Sequence, residues 1–429
     1  MTRRRRARVG PLVALAALAS IWAAAARGDD AATTLPSREP YVQVGLIWDQ
    51  DSLVLVPVGG GQWRGSPSGK AVPAGARVRM ALTSDGFAAS WSQGGTRVSE
   101  TFGARDTAWL IPVRRGDTTT WDGRSWRGEM KLFLSPRGKL TLADRLPLET
   151  YLLGVVPLEI GGLKDSLLEA GGAQAIAARS YTLFYMGRRG DEGFDLYGTV
   201  EDQVYGSVES ERPMATHCVT RTRGRVALYR GVPIRANYCS TCGGITADVW
   251  EAWPTPPLDY LRGRLDTEGG GDAFCRPSPR FRWRQQWSAA DFVDMVRRTA
   301  PPSGVTVPPG WPGRLLDVRV ADRSRSGRVK TLIISGTAGD LTVPNYVLRQ
   351  VLRQPTPASP ILSSNLFKLG VRRDVTDGRV VSVVVSGAGS GHGVGLCQVG
   401  ALGMARHGYT ADQILAHYYS GIELKTLYR

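Results

Sequence analysis

Glu159 is the side chain whose neighbours best suit it to move a proton. It closes a run that is apolar from Tyr151 to Val156, is interrupted by Pro157, and is followed by Gly161 and Gly162. Proline has no N–H to give and clashes with the preceding turn. Paired glycines admit backbone angles that other residues resist. The spacing therefore predicts a bend at Pro157 that carries Glu159. Water reaches a carboxylate poorly there, and desolvation favours its neutral form. A glutamate held protonated near neutral pH is a general acid. The plainer reading is a surface glutamate in a turn.

The segment that must position this acid follows at once. From Leu167 the chain reads LLEAGGAQAIAARSYTLFYM, with Ala173, Ile176, Ala177, Ser180 and Phe184 at helical spacing. Its small side chains allow close approach of another backbone. Arg179 leaves this face at its edge, where a planar guanidinium suits an anionic or polar partner. A snorkelling helix arginine explains the position equally well. Further on, Glu201–Ser207 reads EDQVYGS and offers Gln203, Tyr205 and Gly206 on a turn-rich stretch. The bland account of Tyr205 is a half-buried strand residue. His392 sits in the glycine-rich GHGVGLCQ, which lacks the Lys-Ser/Thr of a phosphate loop. It could orient the acid, ligate a metal or touch a ligand, though a lone histidine is usually structural.

Five cysteines are present: Cys218, Cys239, Cys242, Cys275 and Cys397. Cys239-Ser-Thr-Cys242 has zinc-knuckle spacing, and Cys275 could complete the set. In an oxidising compartment the same residues would form a disulfide, so zinc and disulfide both stay open. Cys218 and Cys397 read as buried small hydrophobes.

Taken in order, GVVPLE…EAGGAQAIAARSY, EDQVYGS, NYCSTCGGITADVW (Asn237–Trp250) and GHGVGLCQVGALGMA (Gly391–Ala405) resemble the family of sporulation stage II protein D and the amidase enhancers. The resemblance runs from about Leu146 to the C-terminus. It implies a lytic transglycosylase that cuts peptidoglycan glycan strands, with Glu159 as the acid and no cofactor needed for the chemistry. It carries Arg179 and the Gln203–Gly206 segment to substrate binding, together with Thr241, His392, Tyr418 and Tyr419. Family members often have histidine at the Cys239 position, which suits a metal ligand. The alternative within the family is a non-catalytic enhancer of a cell-wall amidase. This chain departs from the family pattern at Gly171–Gly172 and at Cys397.

The wider sequence fits an exported wall protein. Residues 1–28 combine an arginine-rich start with an apolar stretch, as in a signal peptide or N-terminal anchor, the only expected membrane contact. Residues 29–40 read as a linker. Residues 41–142 alternate like strands and carry six tryptophans, the mark of a β-rich accessory module. Residues 143–429 then form the catalytic domain, with lobes of about 143–287 and 288–429 and a groove between them. The expected fold class is α+β. The net charge of +16 favours polyanions, but the arginines are scattered rather than striped, so nucleic acid is not the expected partner. Anionic wall polymers or lipid headgroups fit an exported protein better.

Overall fold

The computed structural model describes residues 35–65, 69–356 and 360–429. The export segment expected over residues 1–28 lies outside them. The described residues form two compact units, one of residues 35–235 with Glu423–Arg429, the other of Ala236–Ile422. Both mix helices with largely antiparallel sheets, as the α+β expectation required.

In the first unit the alternating stretch makes two sheets. One runs, in spatial order, through Leu196–Tyr197, Tyr41–Gln50, Leu140–Pro147, Glu129–Leu134, Ala108–Pro112, Gly61–Arg64 and Ala71–Val72. The other orders Arg124–Trp126, Thr119–Trp121, Ser52–Pro57, Val78–Leu82, Gly86–Gln93 and Thr96–Gly103. Period-two patterning turns Leu110, Met130, Leu132, Leu140 and Leu142 inward, all buried. The sheets meet where the Trp63 ring lies 5.6 Å from Phe102. Trp63, Trp91 and Trp126 are buried there, so these rings pack the interior. The sequence boundary drawn after residue 142 falls inside the strand Leu140–Pro147, which pairs along its length with Tyr41–Gln50. Module and helices thus share one sheet.

That strand runs directly into the helix Leu148–Ile160. Pro157 does not break it, contrary to the expected bend. Proline forfeits one backbone bond, but Val155, Val156, Pro157 and Ile160 are all buried and hold the last turn in place. The chain turns at Gly161, whose φ of 80° is open to glycine. Next comes the alanine-rich helix Leu168–Tyr185. A Cβ on Gly171 would lie 2.5 Å from the Cys218 sulfur of the helix Pro213–Arg221, so glycine there permits close helix packing. Arg225–Tyr229 and Val232–Pro233 form a hairpin around Arg230 and Gly231. The C-terminal strand Glu423–Thr426 returns to pair with Arg225–Tyr229.

In the second unit a three-stranded sheet orders Arg282–Ser288, Val380–Ala388 and Phe367–Arg373; a meander joins Leu315–Arg323, Val329–Gly336 and Gly339–Pro344. Trp287, Phe292, Trp311, Leu332, Val343 and Val383 belong to their common core. Ser288 caps the helix Ala289–Thr299, its hydroxyl accepting the Asp291 amide at 3.1 Å. The lobe boundary drawn after residue 287 falls at the end of a fully paired strand. A short parallel pair, Tyr238–Cys239 with Leu396–Cys397, holds the cysteine segment against the glycine-rich one. Among the described residues no helix is long and apolar enough to cross a membrane.

Candidate functional site

Glu159 stands in the last turn of the helix Leu148–Ile160, half-buried, and its Oε1 accepts the Val204 amide at 2.8 Å. The EDQVYGS segment is pressed onto this helix. The Gly206 amide donates to the Gly154 carbonyl at 3.2 Å. A Cβ on Gly154 would come within 2.4 Å of the Gly206 oxygen and 2.7 Å of the Tyr205 ring. A cavity of about 690 Å³ opens beside this junction, lined by Leu158, Val204, Tyr205, Gly206, Thr199 and Arg124, among others. Its volume is that of a small-molecule or oligosaccharide cleft. Glu159 is not among the lining residues; its chain neighbour Leu158 and its hydrogen-bond donor Val204 are.

Gln203 and Tyr205 brace this arrangement from inside. Gln203 is fully buried and donates to Thr182 Oγ1 at 2.8 Å and to the Tyr151 hydroxyl at 3.3 Å. The Tyr205 hydroxyl donates to Asp144 Oδ2 at 2.9 Å, and its ring lies 5.0 Å from Tyr151. Burial pushes the Asp144 carboxyl well above the usual range, only partly offset by the Tyr205 hydrogen bond. Tyr205 and Gly206 reach the cavity wall; Gln203 supports it from behind.

Arg179 is not at a surface edge. It is 0 % exposed, and its Nε and Nη2 hold Glu149 in a two-pronged pair at 2.8 and 2.7 Å. Nη1 donates to the Arg225 carbonyl at 3.0 Å. Glu149 also accepts the Tyr428 hydroxyl at 2.8 Å and the Gly224 amide at 3.2 Å. Burial works to raise the Glu149 carboxyl, but Arg179, Tyr428 and Gly224 outweigh it and hold it below its ordinary value. The expected anionic partner of Arg179 exists, and it is a side chain of this protein.

The remaining candidates lie in the unit Ala236–Ile422. Thr241 is buried, with its hydroxyl 2.8 Å from that of Ser278. Tyr418 donates to Asp266 Oδ1 at 2.6 Å, and Tyr419 donates to the Asn237 carbonyl at 2.8 Å; both are buried. These three side chains are interior struts, not surface contacts. His392 is half-buried, its Nδ1 accepting the Val394 amide at 3.0 Å and its ring 4.7 Å from Trp253. That bond places the neutral ring's proton on Nε2. The cysteines rearrange the expected set. All five are free thiols. Cys242 and Cys275 come together, but with Cys397 and Asp266 rather than Cys239. Cys239 lies in the short strand beside Cys397, and its Cβ is 3.0 Å from where a Gly391 Cβ would be.

Residues 136–229 match the family model described as stage II sporulation protein. The chain therefore carries a stage II sporulation protein domain. Glu159, Arg179, Gln203, Tyr205 and Gly206 all lie within that family segment. Residues 261–395 match a second model, a domain of unknown function (DUF8618). Stage II sporulation protein D of Bacillus subtilis (strain 168) is 27% identical over 297 residues, 66% of this chain and 75% of that protein. The amidase enhancer of the same organism is 26% identical over 311 residues, 64% of this chain and 40% of the relative. An uncharacterized protein of Brachyspira hyodysenteriae (strain ATCC 49526 / WA1) is 26% identical over 309 residues, 72% of this chain and 74% of that protein. The family expected from the four motifs is thus borne out.

Within the family segment, sequence reasoning missed Glu149 and Asp144. Both are isolated acids in apolar stretches, and the burial of such a residue is itself the available signal, because a buried charge demands a partner. Asp266, beyond that segment, had no such signal in the glycine-rich DTEGGG.

Proposed function

We propose that this protein is exported and cleaves peptidoglycan glycan strands as a lytic transglycosylase, with Glu159 acting first as acid and then as base. The observation that carries the reading is the placement of Glu159 in the sporulation-protein segment. It sits half-buried at a helix end, anchored to the amide of Val204, which lines a cavity of about 690 Å³. One carboxyl suffices for this reaction. The protonated acid gives its proton to the bridging oxygen as that oxygen leaves the muramic C1. The same carboxylate then takes the proton of that sugar's C6 hydroxyl as the oxygen closes on C1. A 1,6-anhydro end results and no water is consumed. Proton transfer of this kind contributes on the order of 10²–10⁴ in rate.

The test uses purified protein and glycan strands stripped of stem peptides, with products read by mass spectrometry. Wild type yields anhydro-muramic ends, and Glu159→Gln lowers their formation by about 100-fold or more. Equal product from both proteins defeats the enzyme reading.

The amidase-enhancer relative supports a second reading, in which the chain binds the wall and stimulates an amidase. In that case Glu159→Gln is silent, no anhydro ends form, and adding the protein raises amidase turnover on intact peptidoglycan. The net charge of +16 suits anionic wall polymers in either case.

A further inference from the structure

We infer that Cys242, Asp266, Cys275 and Cys397 together hold one tetrahedral zinc ion. Their four ligand atoms lie within 4.8 Å of one another, and all four residues are buried. The donors come from three stretches of chain, around Cys242, over Asp266–Cys275 and at Cys397, so a shared ion would tie together segments distant in sequence. The Cys242 and Cys275 sulfurs are 3.7 Å apart. Two sulfurs bound to one tetrahedral zinc at about 2.3 Å stand about 3.8 Å apart, whereas a disulfide would need about 2.05 Å. A compact, sulfur-rich set selects zinc or iron over magnesium and calcium, which prefer oxygen.

The surroundings orient each donor. Asp266 Oδ1 accepts the Tyr418 hydroxyl at 2.6 Å and Oδ2 accepts the Cys275 amide at 3.0 Å, which fixes the carboxylate plane. The Cys397 sulfur accepts the Cys242 amide at 3.2 Å and the Gly400 amide at 3.3 Å, at the start of the helix Gln398–Arg406. N–H groups aimed at sulfur favour the thiolate that a metal requires. Three thiolates and a carboxylate around a divalent ion leave negative charge over. Arg328 is buried and donates to the Cys242 and Ile245 carbonyls, both at 3.0 Å, and its charge offsets part of it. Cys239 is no part of this set, despite its Cys-x-x-Cys spacing.

Metal content by inductively coupled plasma mass spectrometry, on protein purified without chelator or a metal column, tests the site. One zinc per chain is expected, retained in Cys239→Ser and lost to background in Cys275→Ser and Cys397→Ser. Tyr418→Phe removes only a hydroxyl and lowers affinity about 10–100-fold in competition with a chromophoric chelator. Should the cysteine variants fail to fold, wild type exchanged into cobalt decides: intense thiolate charge-transfer and tetrahedral visible bands are expected. The inference is overturned by a metal-free wild type that takes up no cobalt, by a disulfide among these cysteines in peptide maps, or by zinc that depends on Cys239 and not on Cys397.

Discussion

The pair formed by Arg179 and Glu149 shows how a side chain that resembles a ligand-binding group can be fully employed within the protein. A buried pair of this kind is costly to break from one side, because the abandoned charge stays in the interior. Arg179→Met should therefore lower stability by about 3–5 kcal/mol, read from urea unfolding. The pair also sets an acid limit. The Glu149 carboxyl is held below its ordinary value in the folded state, so its stabilisation is complete above about pH 4.5 and drains away as pH falls through the depressed folded value. Glu149→Gln should flatten that part of the stability profile while lowering its plateau. Asp144 works with the opposite sign. Burial raises its carboxyl, so folding is favoured while the group stays protonated and loses ground as pH rises past the ordinary carboxylate range.

At the scale of elements, the junction between the helix Leu148–Ile160 and the EDQVYGS segment fixes where Glu159 can be. Gly154→Ala would drive a methyl group into the Gly206 carbonyl and the Tyr205 ring. The expected cost is about 1–3 kcal/mol, with weaker glycan binding in a pull-down on purified peptidoglycan. Gly162→Ala is the control: a Cβ there meets nothing within 4 Å, and its effect should stay within about 0.5 kcal/mol. Much of this level was legible beforehand. Strand alternation over residues 41–142 and the alanine-rich helix both rest on local rules that neighbours obey. Pro157 was misread because tertiary burial of the helix end outweighed a local penalty. The partner of Arg179 and the place of Cys397 beside Cys242 were illegible for a different reason. Glu149 lies 30 residues from Arg179, and Cys397 lies far along the chain from Cys242, with no periodicity to link them. The burial of Tyr418, Tyr419 and Thr241 likewise depends on packing that no spacing rule encodes.

For the whole molecule, the notable feature is that the first unit is built from two stretches far apart in sequence, residues 35–235 and Glu423–Arg429. Tyr428 closes on Glu149, and Glu423–Thr426 supplies the neighbouring strand of Arg225–Tyr229. Tyr428→Phe should cost about 1.5–3 kcal/mol, the worth of a hydrogen bond to a charged group, measured as a shift in urea midpoint. Removing Glu423–Arg429 altogether should do more, exposing residues 35–235 to protease while Ala236–Ile422 stays resistant.

A chain made or exported from its N-terminus presents residues 35–235 long before the seven residues that complete them. That unit must then wait, with an unclosed strand edge, until Glu423–Arg429 has emerged. Any truncation ahead of Glu423 would leave residues 35–235, not the unit nearest the lesion in sequence, unfinished.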